Sequence, residues 1–322
     1  MPCSSLDRQT ADIALNLAVR APSIHNKQPW RWRIGRRGID LFADTSRGLG
    51  VTDPHQRALV VSCGVVLHHL RVAFAALGWA TSVERGPDPH HPDHLARIAI
   101  TRRPPSDSDI ELAAAILMRQ TDRRHYLHRP VPARVIRALT QRAANCGAAV
   151  RQVPEPWLPR LARPMRRAAA SHAVDRGYQA EIARWSGGER SIDGVPGRNA
   201  PPPRPAGEIP VRTFTDATLS DPANQPDAAV WLVVATLRDD RQAQLRAGEA
   251  TSALLLAATD LGLATSLQTE PLGMSDPRQE IRASLLHDCA YPQAMVRVGW
   301  MSHTAAPLTA TPRRPVADVL ET

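Results

Sequence analysis

The chain contains an internal repeat, and this repeat restricts the folds that are available to it. Residues 62–82 align without a gap to residues 246–266, and eight of these twenty-one positions are identical in the two copies. Both copies read as an apolar helix that ends at a glycine, Gly78 or Gly262, and is followed by Ala-Thr-Ser. Glycine readily adopts the left-handed backbone that commonly terminates a helix. The sequence therefore predicts two copies of one supersecondary unit.

A strand is predicted after each copy of the helix. These strands cover residues 94–100 and 294–300, and Arg97 and Arg297 are expected at matching positions in them. Two copies of one unit suggest that the halves of the chain pack together like the subunits of a dimer. Ligand pockets are common at domain and subunit interfaces, so we expect the functional site at the seam between the halves.

The predicted fold class is α+β, with one sheet-plus-helix unit duplicated in the chain. The first half is expected at residues 1–105 and the second at residues 106–322, with a proline-marked joint between them. The second half carries a proline-rich insertion at about 154–210, which encloses one predicted helix at 166–185. Long segments of this kind are commonly lids, binding loops or disordered linkers. We favour a lid, because its apolar residues could dock it onto the rest of the protein.

Length and composition place the chain among globular proteins. Its 322 residues, 43% of them hydrophobic, allow one large domain or two of ordinary size. Asp7 and Asp12 stand where a signal peptide would be apolar, and no run approaches the roughly 18 consecutive apolar residues that cross a bilayer. We therefore expect a cytoplasmic protein with no membrane partner. The four cysteines include no C-x-x-C pair, so neither a zinc site nor a disulfide framework is expected.

The net charge of +9 comes almost wholly from arginine, because Lys27 is the only lysine. One interpretation is a solvated basic surface that reflects the codon usage of a G+C-rich genome. The other is recognition of phosphate by the guanidinium fork, on nucleic acid or on a small phosphorylated cofactor. Aromatic residues make up only 4% of the chain, and the arginines are spread along it. We therefore expect no nucleic-acid partner.

Residues 21–30 (APSIHNKQPW) form a polar turn before a predicted strand. The turn holds a hydroxyl, Ser23, and two amide side chains, Asn26 and Gln28, between two prolines. Such a run offers the donors and acceptors that a polar ligand requires. Ser23 and Asn26 could equally satisfy backbone groups of the turn itself. The residues alone leave both interpretations open.

Arginines recur in two further motifs. Arg119, Thr121 and Arg123 form an R-x-T-x-R run before a helix predicted at 133–144, and Arg313 and Arg314 lie side by side near the end of the chain. Two arginines and a hydroxyl at alternate positions can converge on one phosphate through charge-assisted hydrogen bonds. An isolated R-x-T-x-R run is also typical of a solvated basic helix end.

Together these motifs resemble those of the flavin-dependent nitroreductases. The turn at 21–30 matches all seven specified positions of the family signature A-P-S-x-x-N-x-Q-P-W. The run at 119–123 resembles the R-x-S-x-R signature, with threonine in place of serine, and residues 313–314 resemble the closing basic pair. The helix at 248–266 is also similar to a family pattern. The order of the motifs most resembles the Acg family of mycobacterial nitroreductase-like proteins, which are monomeric mimics of the nitroreductase dimer.

This resemblance implies a nitroreductase-like fold duplicated in one chain, with a single FMN held between the halves beneath a lid. The twin site should be degenerate, because the first half has no R-x-S-x-R run and residues 146–153 stand where the second half would need its turn. The flavin would carry the redox chemistry, so we expect no catalytic side chain and no metal ligand. The implied cofactor-binding residues are Pro22, Ser23, Ile24, His25, Asn26, Gln28, Arg119, Thr121, Arg123, Thr269, Glu270, Arg313 and Arg314.

Two functions follow from the resemblance. The first is an oxidoreductase that takes electrons from NAD(P)H and passes them to a small aromatic acceptor, either a nitroaromatic or a quinone-like compound. The second is a protein that stores or sequesters FMN, with a lid that blocks access of NAD(P)H. In both cases we expect a monomer that acts as a pseudo-dimer, or a weak homodimer.

Overall fold

The computed structural model describes residues 7–35, 38–186, 188, 191–221 and 226–321. The helices and strands of the first half are α1 (Arg8–Ala18), β1 (Trp30–Gly35), β2 (Gly38–Ala43), α2 (Arg57–Ala76), β3 (Trp79–Arg85) and β4 (His94–Arg102). Those of the second half are α3 (Asp107–Met118), α4 (Ala133–Ala144), β5 (Ala149–Gln152), α5 (Leu158–Val174), α6 (Arg176–Arg184), β6 (Val230–Thr236), α7 (Arg241–Asp260), β7 (Ala264–Gln268), α8 (Ser275–Leu286) and β8 (Tyr291–Gly299).

The strands form two antiparallel sheets that share one topology. Their orders are β1-β2-β4-β3 and β5-β6-β8-β7. The second strand of each sheet carries an irregularity at the corresponding place, between Leu41 and Phe42 in β2 and between Val234 and Ala235 in β6. A bulge bends and twists a strand locally. The shared order and the shared bulge position confirm the predicted α+β fold with two related halves.

The two repeated helices cross where the repeat places a glycine in each. A Cβ atom added to Gly64 would lie 2.0 Å from the carbonyl oxygen of Leu245 and 2.8 Å from the Cα of Gly248. A Cβ atom added to Gly248 would lie 2.1 Å from the carbonyl oxygen of Val61. The backbones of α2 and α7 are therefore in direct contact, and the pseudo-two-fold axis that relates the halves passes through this pair of glycines.

The helix α2 lies at the centre of the molecule. It is the one helix in the described part of the chain that is long and apolar enough to cross a membrane, and 83% of its apolar window is buried inside the protein. It packs against α1, α3 and α7. This burial is that of a core helix.

The predicted strands after the repeat exist, but two neighbouring strands were missed. The strands expected at 94–100 and 294–300 are β4 and β8, whereas β3 and β7, which begin just after the helix-stopping glycines, were not expected. The predicted match of Arg97 with Arg297 is wrong. Ser82 pairs with Ala99 in the first sheet, and Ser266, the matching residue of the repeat, pairs with Arg297 in the second. Arg297 therefore corresponds to Ala99, two residues after Arg97. The helix α8 lengthens the second connection and hides this shift.

The segment between β5 and β6, residues 153–229, contains the predicted insertion, continues past its expected end at about 210, and is called the insertion. It begins as structured chain that packs on the second half. The single helix predicted at 166–185 is two helices, α5 and α6, which meet at Asp175. The backbone of Asp175 is extended, and its carboxylate accepts a hydrogen bond from the backbone N–H of Tyr178, 3.0 Å away, so it ends one helix and caps the next. Leu161 and Met165 of α5 are buried in a core that includes residues of β6 and α8.

The end of the chain crosses back to the first half. Val316 and Val319 are buried in the core of the first half. The backbone N–H of Glu321 donates to the carbonyl oxygen of Trp32, 2.7 Å away, and its carboxylate lies 2.7 Å from Arg31 and 2.6 Å from Arg33. The tail therefore runs beside β1, the edge strand of the first sheet.

The cysteines offer no cross-link in the described chain. Cys63, Cys146 and Cys289 are unpaired, and Cys3 lies outside the described residues.

The contact between the crossing helices can be tested with Gly64→Ala. Alanine favours a helix by about 1 kcal/mol over glycine, so any loss of stability must come from the crossing. Because the clashing atoms belong to backbone, we expect the free energy of unfolding to fall by about 1–3 kcal/mol or more. Urea unfolding measures this change. Gly50→Ala, where an added Cβ meets no atom within 4 Å, is the control. Equal stability of the two variants would contradict the backbone contact.

Candidate cofactor-binding site

A narrow cavity with about 60 Å³ of free space lies between the two halves, beside the first part of α2. The wall is built from the 21–30 turn and α2 of the first half, the R-x-T-x-R run and the end of β7 in the second half, and the insertion. The lining residues are Pro22, Ser23, Ile24, His25, Ala58, Val61, Ser62, Val65, Thr121, Arg123, Arg212, Phe214, Leu267, Gln268 and Thr269.

The turn that forms one wall has an unusual backbone. His25, Asn26 and Gln28 have φ angles of 46°, 54° and 50°, in the left-handed region that residues other than glycine rarely adopt. Two hydroxyls hold this conformation. The Oγ of Ser23 accepts the backbone N–H of Gln28 at 2.9 Å, and the Oγ of Ser62 on α2 accepts a second N–H of the turn at 3.1 Å. Ser23 therefore satisfies a backbone group of the turn, as one of the two interpretations expected, and it also lines the cavity.

His25 is buried in the cavity wall and is neutral. Its Nε2 contacts the guanidinium of Arg212, which can only donate, so Nε2 accepts and the ring proton lies on Nδ1. No described residue forms a hydrogen bond with this Nδ1. Burial, together with the charges of Arg212, Arg123 and Lys27, lowers the pKa of His25 well below its ordinary value. The ring therefore presents an unused N–H donor.

The R-x-T-x-R run divides between two sites. Thr121 and Arg123 line the cavity, and the run is held there because the backbone N–H of Asp122 donates to the carbonyl oxygen of Thr265 at 2.9 Å. Arg123 donates to the carbonyl oxygen of Asn199 at 3.1 Å, and burial lowers its pKa to about 10. Arg119 lies in a separate cleft.

That second cleft, of about 290 Å³, is rich in arginine. Arg20, Arg119, Arg313 and Arg314 are among its lining residues, and none of the described residues that line it is acidic. The Nε and Nη1 of Arg119 and the Nε of Arg313 are buried and have no partner among the described residues. Burial and the neighbouring arginines lower the pKa of Arg119 to about 10 and that of Arg313 to about 9. An anion would satisfy these buried donors and offset the repulsion between the guanidinium groups.

Gln28 joins three parts of the chain and does not line the cavity. Its Oε1 accepts the backbone N–H of Arg314 in the tail at 2.7 Å, and its Nε2 donates to the carbonyl oxygen of Ile192 in the insertion at 2.8 Å. The Nδ2 of Asn26 donates to the carbonyl oxygen of Pro312 at 3.1 Å. The guanidinium of Arg314 donates to the carbonyl oxygen of Asp318 at 2.6 Å. These polar groups of the turn and tail mainly hold the chain together.

Glu270 points away from the cavity that its neighbour Thr269 lines. Its Oε1 accepts from the Nδ1 of His172 at 2.9 Å and from the hydroxyl of Tyr178 at 3.1 Å, both on helices of the insertion. Burial alone would raise the pKa of Glu270, but the hydrogen bond from His172 and the charge of Arg212 lower it. Glu270 therefore belongs to a neighbouring cavity beneath the insertion.

The counterpart of the cavity in the other half is filled by charged side chains. The small or apolar residues Ser62 and Val65 of α2 correspond in the repeat to Arg246 and Glu249 of α7. Glu249 is fully buried, 2.7 Å from Arg85 of β3 and 2.7 Å from Arg71 of α2. A cluster of charged side chains thus occupies the place of the second cavity. This agrees with the expectation that the twin of the cofactor site is degenerate.

Sequence reasoning missed the cavity residues that come from α2 and from the insertion. Ser62 and Val65 could have been found by comparing the two copies of the repeat position by position, since Arg246 and Glu249 stand at the matching positions of the second copy. Ala58 precedes the repeat and carries no such signal. Arg212 and Phe214 carry no comparable signal. Their place depends on the path of the insertion across the protein.

Known proteins place these features in a family, although no family model matches the chain. The chain is 45% identical over 318 residues to "Putative NAD(P)H nitroreductase Rv3131" of Mycobacterium tuberculosis H37Rv, across 98% of this chain and 92% of that protein. It is 35% identical over 326 residues to "Putative NAD(P)H nitroreductase acg" of the same strain, across 99% and 97%. The chain belongs to the Acg family of nitroreductase-like proteins. Its duplicated α+β fold is that expected of an Acg-family protein.

Solved nitroreductase structures align with this Acg-family chain over part of its length. NfnB from Mycobacterium smegmatis, an FMN-dependent nitroreductase in complex with NADPH, covers 67% of this chain and 99% of its own, with a TM-score of 0.42 and 15% identity. A nitroreductase with bound FMN from Bacteroides fragilis covers 63% and 95%, with a TM-score of 0.42 and 16% identity.

The ion cluster predicts a large effect of Glu249→Gln. Removing the carboxylate leaves Arg85 and Arg71 without a counter-charge, so we expect the free energy of unfolding to fall by about 3–5 kcal/mol. The double variant Glu249→Val with Arg85→Thr, which copies Val65 and Thr269, should lose less.

Urea unfolding of both variants measures these effects. The control is Glu84→Gln. Glu84 is exposed and directly precedes Arg85 in β3. If Glu249→Gln costs no more than this control, the buried cluster does not contribute as described.

Proposed function

We propose that this chain is an FMN-dependent oxidoreductase that takes electrons from NAD(P)H and passes them to a nitroaromatic or quinone-like acceptor. One observation carries the proposal. A single cavity gathers the A-P-S-x-x-N turn of the first half and the R-x-T-x-R run and β7 end of the second half. Neither half holds the complete set. Two of the relatives are named "Putative NAD(P)H nitroreductase", and these names support NAD(P)H as the electron donor.

The chemistry of the two clefts fits FMN. The unpartnered guanidinium nitrogens of Arg119 and Arg313 suit a phosphate dianion, because arginine binds phosphate through charge-assisted hydrogen bonds. The main cavity, between the turn at 22–25 and Thr269, would hold the flavin ring, and Thr121 and Arg123 would contact it from the second half. Bound FMN supplies two-electron transfer, and the protein supplies position, hydrogen bonds and exclusion of water.

The function is tested with the purified full chain. We expect a flavin absorption spectrum, release of FMN on unfolding that mass spectrometry identifies, and oxidation of NAD(P)H in the presence of a nitroaromatic or quinone acceptor. A colourless protein that gains no flavin absorbance when FMN is added would refute the proposal.

Arg119→Gln should have opposite effects on cofactor affinity and on stability. Loss of a hydrogen bond between charged groups should weaken FMN by about 1.5–3 kcal/mol. The same change removes a buried charge that has no counter-ion in the described chain, so the FMN-free protein should become more stable. Fluorescence titration and thermal unfolding measure the two effects. Arg8→Gln is the control, because this side chain is 87% exposed. Unchanged FMN affinity would show that the cleft does not hold the phosphate.

A storage role is the second candidate, and the insertion favours it. Arg212 and Phe214 of the insertion project into the cavity, where they could exclude a nicotinamide ring. Deleting residues 156–207 would be a poor test of whether the insertion blocks NAD(P)H. The deletion would remove Leu161 and Met165, which belong to a hydrophobic core, and would leave that core exposed. Phe214→Ala is the better variant. Tight FMN binding without turnover in the natural chain, and turnover in Phe214→Ala, would support storage. Robust turnover in the natural chain would exclude pure storage.

We also propose that the insertion acts as a lid over the turn. Its contacts with the turn are mostly polar. Ile192 accepts from Gln28, Asp193 pairs with Arg47, and Trp185 covers the ammonium of Lys27, whose Nζ lies 3.4 Å from the ring centroid. Trp185 also packs on a small apolar cluster that includes Ile24, so opening the lid would expose this cluster but none of the larger cores.

The rate at which Lys27 is chemically modified tests whether this lid covers it. It is the only lysine of the chain, it is 4% exposed, and burial lowers its pKa to about 8. Because the amine lies beneath Trp185, an acetylating reagent reaches it only when this cover opens. We expect slow acetylation of Lys27 in the natural chain and a rate at least about tenfold higher in Trp185→Ala, measured by mass spectrometry. Trp157→Ala, elsewhere in the insertion, is the control. Equal rates in all three proteins would contradict the cover.

A further inference from the structure

One corner of the main cavity concentrates hydrogen-bond donors and positive charge. His25, Arg123 and Arg212 all line it. The Nδ1–H of His25 and the Nε of Arg212 are buried and have no hydrogen-bond partner in the part of the chain that the structure describes. Every one of these groups donates hydrogen bonds, and both guanidinium groups are positively charged. The corner lacks the acceptors that such groups require.

No carboxylate of the described chain forms a salt bridge with Arg123 or Arg212. Asp122, next to Arg123 in sequence, instead pairs with Arg124 at 2.7 Å. The charge of Glu270 acts on Arg212, but this carboxylate is already hydrogen-bonded to His172 and Tyr178. The positive charge of the corner is therefore only partly balanced by the protein.

An aromatic ring already occupies this corner. Phe214 of the insertion meets the ring of His25 edge to face, with centroids 5.9 Å apart. The guanidinium of Arg123 lies 5.0 Å from the Phe214 centroid. Both arrangements are favourable for an aromatic ring. The corner thus suits a planar ring next to cationic donors.

We propose that Arg212 forms a subsite for the oxyanion of an aromatic electron acceptor, so that the protein prefers anionic aromatic acceptors to neutral ones of the same shape. This inference rests on the proposed FMN-dependent function. Arg212 is the residue that distinguishes the subsite, because it comes from the insertion and reaches the turn through His25, whereas Arg123 is assigned to the flavin. A carboxylate would accept from the Nε–H of Arg212 and pair with its charge, whereas an amide of the same shape carries no charge for this pairing.

The test compares two ligands that differ in charge alone. The FMN-loaded full chain is titrated with 4-nitrobenzoate and with 4-nitrobenzamide, and changes in flavin absorbance give the two dissociation constants. We expect 4-nitrobenzoate to bind at least about tenfold more tightly, as for one charge-assisted hydrogen bond. Arg212→Gln should reduce the preference to about parity, and Arg212→Lys should restore part of it.

Arg176→Gln is the matched control, since it removes the same charge from an exposed position of the insertion and should keep the preference. The same titrations with NADPH separate the acceptor from the donor. If Arg212→Gln weakens NADPH and leaves the nitrobenzoate preference intact, the subsite serves a donor phosphate and the assignment is overturned.

The outcomes separate this inference from the function on which it rests. A chain that binds no FMN refutes the proposed function. A chain that binds FMN but shows equal affinity for the two nitro compounds, or an undiminished preference in Arg212→Gln, overturns the subsite alone. Loss of FMN affinity in Arg212→Gln with no loss in Arg176→Gln would assign Arg212 to the cofactor and also overturn it.

Discussion

The structure depends on the contact between two helix backbones at Gly64 and Gly248. Because neither residue has a side chain, α2 and α7 approach until backbone meets backbone. This contact sets how the two sheets face each other, and the distance between the 21–30 turn and the R-x-T-x-R run follows from it. The candidate site is therefore a product of how the halves pack, and a small change in the crossing would alter both of its walls at once.

Buried arginine is the main energetic feature of the site. Arg119, Arg123 and Arg313 have their pKa values lowered by burial, and several of their nitrogens lack partners in the described chain. Such groups reduce the stability of the ligand-free protein, and a bound anion would offset the cost. Functional sites commonly trade stability for affinity in this way. The fully buried Glu249 shows the opposite solution, in which the protein supplies the counter-charge itself.

Much of the fold and part of the site could be predicted from the sequence, because both leave local signals. The repeat predicted two related halves, the resemblance to the R-x-S-x-R signature, which a helix follows, predicted α4 at its observed bounds, and the motif order indicated which segments meet. Directions of side chains were harder to predict. Thr269 and Glu270 are neighbours, yet only Thr269 lines the main cavity, since successive residues point to different sides. Arg212 and Phe214 could not be predicted, because their place depends on long-range packing.

Joining both halves in one polypeptide has a consequence for what substitutions can do. In a homodimer of identical subunits, every substitution appears twice, so a glutamate that seals one pocket would seal its symmetry mate as well. Here Glu249 occurs once and its counterpart is Val65. The cavity beside Val65 stays open, whereas the corresponding place beside Glu249 is filled by an ion pair that joins α7 to α2. Covalent linkage also makes the pairing independent of protein concentration. One half is thereby free to specialise in support while the other retains access to ligand.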